Sequence, residues 1–152
     1  MHLVLVEPEI PANTGNVART CAVTGAELHL VKPLGFSVDD KHLKRAGLDY
    51  WHLLTVHYHD SLEEIFEAYP ENSFHFATTK GKKLYTEAVY GSNDFLVFGK
   101  ETAGLPVHII NTYQKSCIRI PMINKARSLN LSNSVAVVLF EALRQNNFCG
   151  LG

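Results

Sequence analysis

Apolar positions recur along this chain in two alternating patterns. A short apolar run stands at His2–Val6, and further strand-like stretches at Glu27–Val31, Thr55–His59, Ser73–Thr78, Asp94–Phe98 and Cys117–Ile120. Runs of this length, bounded by Gly, Pro or polar residues, predict buried strands. Segments with helical spacing fall between them. Thr14–Val23 sets Val17 with Cys21 and Ala18 with Ala22 at i,i+4, with Asn13 or Thr14 available as a cap and Gly25 beyond its end. Ser61–Tyr69 opens on a capping-box pattern, Ser61-Leu62-Glu63-Glu64, and stops before Pro70. Pro106–Thr112 begins on proline. Asp39–Ala46 reads as a short basic helix closed by Gly47. Ser132–Gln145 carries Val135, Val138, Leu139 and Leu143 on one side, capped by Ser132 or Asn133. Glu7–Asn13, with two prolines, reads as a rigid loop, Lys80–Lys83 as a basic turn and Pro121–Asn130 as a polar loop.

Strands separated by helices predict an α/β domain with a mostly parallel sheet flanked by helices. Residues 1–152 read as one such domain, with no linker or repeat. In such sheets ligands bind beyond the carboxyl ends of the strands, and three of those ends are unusual. After the first strand comes Asn13-Thr14-Gly15-Asn16-Val17-Ala18-Arg19. Asn16 and Arg19 share a helix face near an N-terminus, a setting that suits a phosphodiester. After Phe98 comes Gly99-Lys100-Glu101-Thr102-Ala103-Gly104-Leu105. Its glycines permit close backbone approach to a ligand. Glu101 stands where a Walker A loop carries Ser or Thr, so a triphosphate is disfavoured and a cationic or hydroxyl-bearing ligand suits better. After the last strand come Ile120-Pro121-Met122 and then Ser128-Leu129-Asn130-Leu131-Ser132-Asn133-Ser134, richer in hydroxyls and amides than one cap requires.

Composition narrows the possibilities. With 46% hydrophobic residues in 152, the chain has enough apolar content for a substantial core. No apolar run nears the ~20 residues of a membrane span, and the N-terminus lacks the basic start of a signal peptide. A net charge of -1 excludes a globally basic nucleic-acid binder but not local patches. Candidate patches are Lys41, Lys44 and Arg45; Lys80, Lys82 and Lys83; and Lys125 with Arg127. Cys21, Cys117 and Cys149 are odd in number, far apart and without a CxxC pair, so neither a disulfide framework nor a zinc knuckle is supported, which fits reduced thiols and a cytoplasmic location. His57 and His59 share a strand face without a further ligand cluster beside them, so no metal site is expected.

The three strand-end segments resemble the three motifs of the SpoU branch of the SPOUT superfamily of RNA methyltransferases. Asn13, Gly15 and Arg19 match the first, and Gly99, Glu101, Gly104 and Leu105 the second. Pro121, Ser128, Leu129, Asn130, Ser132 and Ala136 match the third. Glu7–Asn16, Pro33–Phe36, Gly47–Tyr50 and Leu129–Ser134 further resemble the YibK-like group, small 2′-O-methyltransferases of the tRNA wobble cytidine or uridine, nucleotide 34.

The resemblance implies a deep C-terminal trefoil knot and S-adenosylmethionine (SAM) bound in a bent shape. The cofactor residues it implies are Ala77, Thr78, Gly99, Gly104, Ile120, Pro121, Met122, Ser128 and Leu129. The glycines would let main chain approach the adenosine. It further implies Arg19 as the catalytic residue, with Asn13, Glu101, Ser128 and Asn130 around the reaction centre. An Arg is a poor base, so phosphate binding and hydroxyl orientation are the role expected of Arg19. The implied partners are the anticodon arm of tRNA and a second copy of the chain, with no membrane and no DNA. The interface would draw on the apolar C-terminal helix, Val135, Val138, Leu139, Phe140 and Leu143, together with the first helix. A non-catalytic RNA-binding module with the same fold is the competing reading. A flavodoxin-like nucleotide binder is disfavoured by the missing phosphate loop.

Overall fold

A computed structural model describes residues 1–38 and 53–152. The expected basic helix Asp39–Ala46 and the stretch Gly47–Tyr50 lie outside the described residues. The strands are β1 (His2–Val6), β2 (Glu27–Val31), β3 (Val56–His59), β4 (Phe74–Ala77), β5 (Lys83–Leu84), β6 (Phe95–Phe98) and β7 (Cys117–Arg119). The helices are α1 (Pro11–Thr24), α2 (Leu62–Ala68), α3 (Val107–Thr112) and α4 (Leu131–Gln145). The strands form one sheet in the order β3-β2-β1-β6-β4-β7-β5. All its pairings are parallel.

Parallel strands buried on both faces sort their side chains with period two. Leu3, Leu5, Leu28 and Leu30 pack with Val17, Ala18 and Cys21 of α1 and Val135, Val138 and Leu139 of α4. Val4, Val6, Val31, Phe76, Phe95 and Val97 face the other way, onto Leu62 and Ile65 of α2 and Ile109 of α3. The domain is therefore a helix–sheet–helix sandwich, and the strand ends are left to bind ligands.

The structure corrects several local expectations. Helix α1 starts at Pro11, inside the stretch read as a loop, and proline suits that first helical position. Neither Asn13 nor Thr14 caps it; both are buried in its first turns, and the N-cap residue, Ile10, offers no side-chain bond. Asn16 and Arg19 therefore sit mid-helix, with Arg19 about two turns in, beyond the reach of the terminal dipole. Helix α4 is capped by Asn130, not by Ser132 or Asn133, and Asn130 accepts from the N–H groups of both. Ser61 caps α2 by accepting from the Glu64 N–H, but the Glu64 carboxylate accepts from the Asp60 N–H and not from Ser61. The basic turn runs straight into β5, which starts at its last residue, Lys83, and pairs with β7. Gly25 closes α1 in the left-handed region, φ 70°, as the sequence suggests.

Candidate active site

The loops leaving β4, β6 and β7 converge with the start of α1 and the entry to α4 around one cavity of about 530 Å³. That volume lies within the ~300–1,000 Å³ usual for small-molecule sites. Segments far apart in sequence meet here because the sheet inserts β6 between β1 and β4.

A polar clasp ties these segments together. Both Glu101 carboxylate oxygens are engaged: one accepts from the Glu9 N–H at 2.8 Å, the other from the Ile10 N–H at 3.2 Å and the Asn13 amide at 3.1 Å. The Asn13 carbonyl accepts from the Asn130 amide at 3.0 Å. One chain of hydrogen bonds thus joins the loop after β6, the start of α1 and the cap of α4. Glu9 answers from the other side, accepting from the Thr102 N–H at 3.0 Å and the Thr102 hydroxyl at 2.7 Å. Those hydroxyl and backbone bonds hold the Glu9 carboxyl below its usual range. Lys100 Nζ meets the Glu7 carboxylate at 2.7 Å, and this bond raises the ammonium's pKa. A missing N-cap costs about 1 kcal/mol. The charge-assisted bonds from Glu101 are worth about 1.5–3 kcal/mol each, so the clasp offsets that loss with tertiary contacts.

This arrangement changes the meaning of two sequence signals. Glu101 is engaged by the protein's own N–H groups, so its visible work is positioning, not binding a cationic ligand. Gly99 and Gly104 serve the loop itself. A Cβ at Gly99 would lie 2.0 Å from the Gly104 carbonyl carbon, and Gly104 takes φ 69° while its N–H donates to the Lys100 carbonyl at 2.8 Å. The loop folds back on Gly99, and no side chain fits between its two limbs.

Of the residues expected to hold the cofactor, Ala77, Thr78, Gly99, Gly104, Ile120, Met122, Ser128 and Leu129 line the cavity. Pro121 does not; it is exposed on the same loop. Asn13, Glu101, Ser128 and Asn130 also lie on the wall. Arg19 is exposed on α1 and is not a wall residue. The basic clusters send Lys80 and Arg127 to the wall. Leu105, Ile110 and Leu131 supply apolar wall that sequence reasoning did not assign. Leu105 belongs to the second motif, though not to its expected cofactor residues, whereas Ile110 reaches the cavity through the packing of α3, which leaves no local signal.

Along β1, β2 and β3 the sheet corrects the expectation that His57 and His59 lack ligand neighbours. The parallel register sets His29 beside His57, and His2 beside Glu27. Four imidazoles and a carboxylate thereby gather on adjoining strands.

The chain matches the model of the SpoU rRNA methylase family over residues 1–140. A Yersinia pestis protein named tRNA (cytidine(34)-2′-O)-methyltransferase is 48% identical over 157 residues, which cover 99% of this chain and 96% of that one. A solved structure reported under the words "Structural insights into the 2-OH methylation of C/U34 on tRNA" is 44% identical, with TM-score 0.92, covering 96% of this chain and 95% of that one. An AdoMet-bound rRNA methyltransferase from Sinorhizobium meliloti is 26% identical, with TM-score 0.82; the match covers 94% of this chain and 55% of that longer one.

Proposed function

The chain belongs to the SpoU rRNA methylase family, and from that premise we propose that it is a tRNA (cytidine(34)-2′-O)-methyltransferase, modifying the ribose of the wobble cytidine or uridine. The observation that carries this reading is the convergence of all three motif segments on one cavity, joined through Glu101, Asn13 and Asn130. The cavity fits SAM by size and lining. Leu105, Ile110, Ile120, Met122 and Leu129 give apolar wall for an adenine ring and a thioether chain, and Thr78 and Ser128 add polar groups. When bound, SAM supplies an electrophilic methyl group on a sulfonium.

The chain's own contribution is placement. Attack by a ribose hydroxyl needs the oxygen held in line with the methyl group and its proton removed as the bond forms. Asn13 and Asn130 are fixed by the clasp and present a rigid polar wall to the reacting groups. Lys80 and Arg127 on the wall suit RNA phosphates. Arg19, on the exposed face of α1, would hold the target phosphate and orient the hydroxyl. Because Arg19 is exposed and not a wall residue, this reading has the RNA lying across the mouth and not inside the cavity. The knotted C-terminus that the sequence motifs imply is part of this proposal. So are a cytoplasmic location and binding of the anticodon arm.

A homodimer is also proposed, on a narrower basis than the apolar content of α4 suggests. Val135, Val138, Leu139 and Leu143 are buried in the chain's own core, whereas Val137 and Phe140 on α4 and Val23 on α1 remain exposed. Sedimentation at micromolar concentration should show a species of twice 17.0 kDa. A stable monomer would remove the dimer from the proposal.

Tritiated methyl transfer to total tRNA, followed by mapping of the methylated nucleotide, tests the activity. Label at nucleotide 34 on the 2′-oxygen is expected; RNA affinity without methyl transfer would favour the non-catalytic module. In the same assay, Arg19→Ala should lower single-turnover methylation by at least ~100-fold with SAM affinity little changed. Near-normal methylation would remove Arg19 from the reaction.

A further inference from the structure

The amino-terminal edge of the sheet carries a cluster that methyl transfer does not use. His2 and Glu27 are the first residues of β1 and β2, and His29 follows on the same face of β2. His2 Nδ1 lies 3.1 Å from His29 Nε2 and 3.9 Å from Glu27 Oε2. One ligand atom from each of the three residues falls within 4.8 Å of the other two. We propose that His2, Glu27 and His29 form a binding site for a late first-row divalent cation, with Zn²⁺ the best fit.

The geometry is close to what such an ion requires. Ligand atoms on a tetrahedral Zn²⁺, each bound at about 2.0–2.2 Å, stand roughly 3.3 Å apart. The 3.1 and 3.9 Å spacings lie within about 1 Å of that value, and the third, under 4.8 Å, needs side-chain movement of at most about 1.5 Å. Two imidazoles and one carboxylate are a common zinc donor set, and this set is too rich in nitrogen to favour Mg²⁺ or Ca²⁺.

Orienting partners are already in place. A metal-bound histidine is usually fixed through its other ring nitrogen. His29 Nδ1 is 3.0 Å from His59 Nε2, so a proton on His29 Nδ1 donated to His59 leaves Nε2 free for the metal. His57 Nε2 meets Glu27 Oε2 at 2.6 Å and holds the carboxylate. The His2–His29 hydrogen bond must open when the ion binds. A proton on His2 Nδ1 then moves to its Nε2, with no net release. His29 is fully buried while Glu27 and His57 are about a third exposed, so the ion would enter from the β3 side. The first residues of β1 and β2 lie at the opposite sheet edge from the methyl-transfer cavity. The ion would therefore cross-link two strands and stabilise the fold, without taking part in the reaction.

The test uses the full chain without a histidine tag, stripped with EDTA and titrated calorimetrically with Zn²⁺ alone. One equivalent per chain, a rise in Tm with Zn²⁺ and tetrahedral absorption bands with Co²⁺ are expected. His2→Gln and Glu27→Gln should each weaken Zn²⁺ binding by roughly 100-fold, and His108→Gln, on the exposed face of α3, should leave it unchanged. His57→Gln, expected to weaken binding roughly 10-fold, serves if either ligand variant fails to fold. Absence of saturable heat would overturn the site. So would affinity within about 3-fold of the parent in every folded cluster variant.

Discussion

The two edges of this sheet are built by opposite routes. At the carboxyl edge, function-bearing residues sit in contiguous stretches, and hydrogen bonds between loops bring the stretches together. At the amino edge, each strand contributes one or two residues, and only the register gathers them. The first kind of site depends on loop shape, the second on strand pairing. A change in one should leave the other largely intact.

The largest separation should come from Gly99→Ala. A Cβ there meets backbone at 2.0 Å, which no side-chain movement relieves. The loop Lys100–Leu105 must shift, and it carries Glu101 and much of the cavity wall. We expect S-adenosylhomocysteine binding to fall by at least ~100-fold by calorimetry, with far-UV circular dichroism unchanged, because a 1 Å misplacement is already costly in a preorganised site. Affinity within about 3-fold of the parent would show that the loop tolerates what the geometry forbids.

The same contrast explains what could be read from the chain. Strands β1 and β2 are short stretches dominated by Leu and Val, and their bounds match the sequence reading residue for residue. The cavity was legible because Gly99, Glu101, Ser128 and Asn130 stand in stretches with recognisable spacing. Glu101's partners were not, since Glu9, Ile10 and Asn13 lie about ninety residues away. The start of α1 was hidden by Pro11, which marks a loop or a first helical turn equally well. β5 was hidden by its two-residue length. The histidine cluster was invisible for the deepest reason. His2, His29 and His57 are each about twenty-seven residues from the next, so no local pattern joins them, and only parallel pairing through β1, β2 and β3 does.

A pH series sharpens the comparison further, because the edges titrate in different windows. Burial, and then the neighbouring His57, His2 and His59 charges, push the His29 pKa down to about 3. Burial also lowers His2 and His59. A histidine whose folded pKa lies below its unfolded value of about 6.5 takes up protons on unfolding. Its stabilisation is complete above pH ~6.5 and declines as the pH falls towards 3, by up to about 1.4 kcal/mol per pH unit for one proton. At the carboxyl edge, the lowered Glu9 carboxyl acts only below its unfolded value of 4.5. Between pH 7 and 5 the amino edge should therefore dominate. With EDTA present, the urea midpoint should be lower at pH 5 than at pH 7. A flat midpoint across that interval would mean that these imidazoles are solvated and not buried.

The smallest effect belongs to Thr14, which sits behind the clasp in the first turns of α1. Its hydroxyl is buried and has no hydrogen-bond partner among the described residues. The neighbouring Asn13 makes its bonds with Glu101 and Asn130. Valine has nearly the shape of threonine and a similar helix propensity, so Thr14→Val exchanges a desolvated hydroxyl for a methyl group at constant volume. The hydroxyl loses water on folding and gains no protein bond in return. Its removal should leave stability unchanged or raise it by up to about 1 kcal/mol, a Tm increase of a few degrees at most. Thermal unfolding measures the first quantity, and calorimetry with S-adenosylhomocysteine measures a second that decides between explanations. A gain in stability with unaltered ligand binding would mark Thr14 as an ordinary packing position behind a fully paired clasp. A loss above about 1 kcal/mol would show that the hydroxyl bonds to a buried water, and would extend the polar network into the core. Raised stability with weakened ligand binding would place the hydroxyl in the cavity's own machinery, where an unpaired donor is held ready for a partner that arrives only with the cofactor.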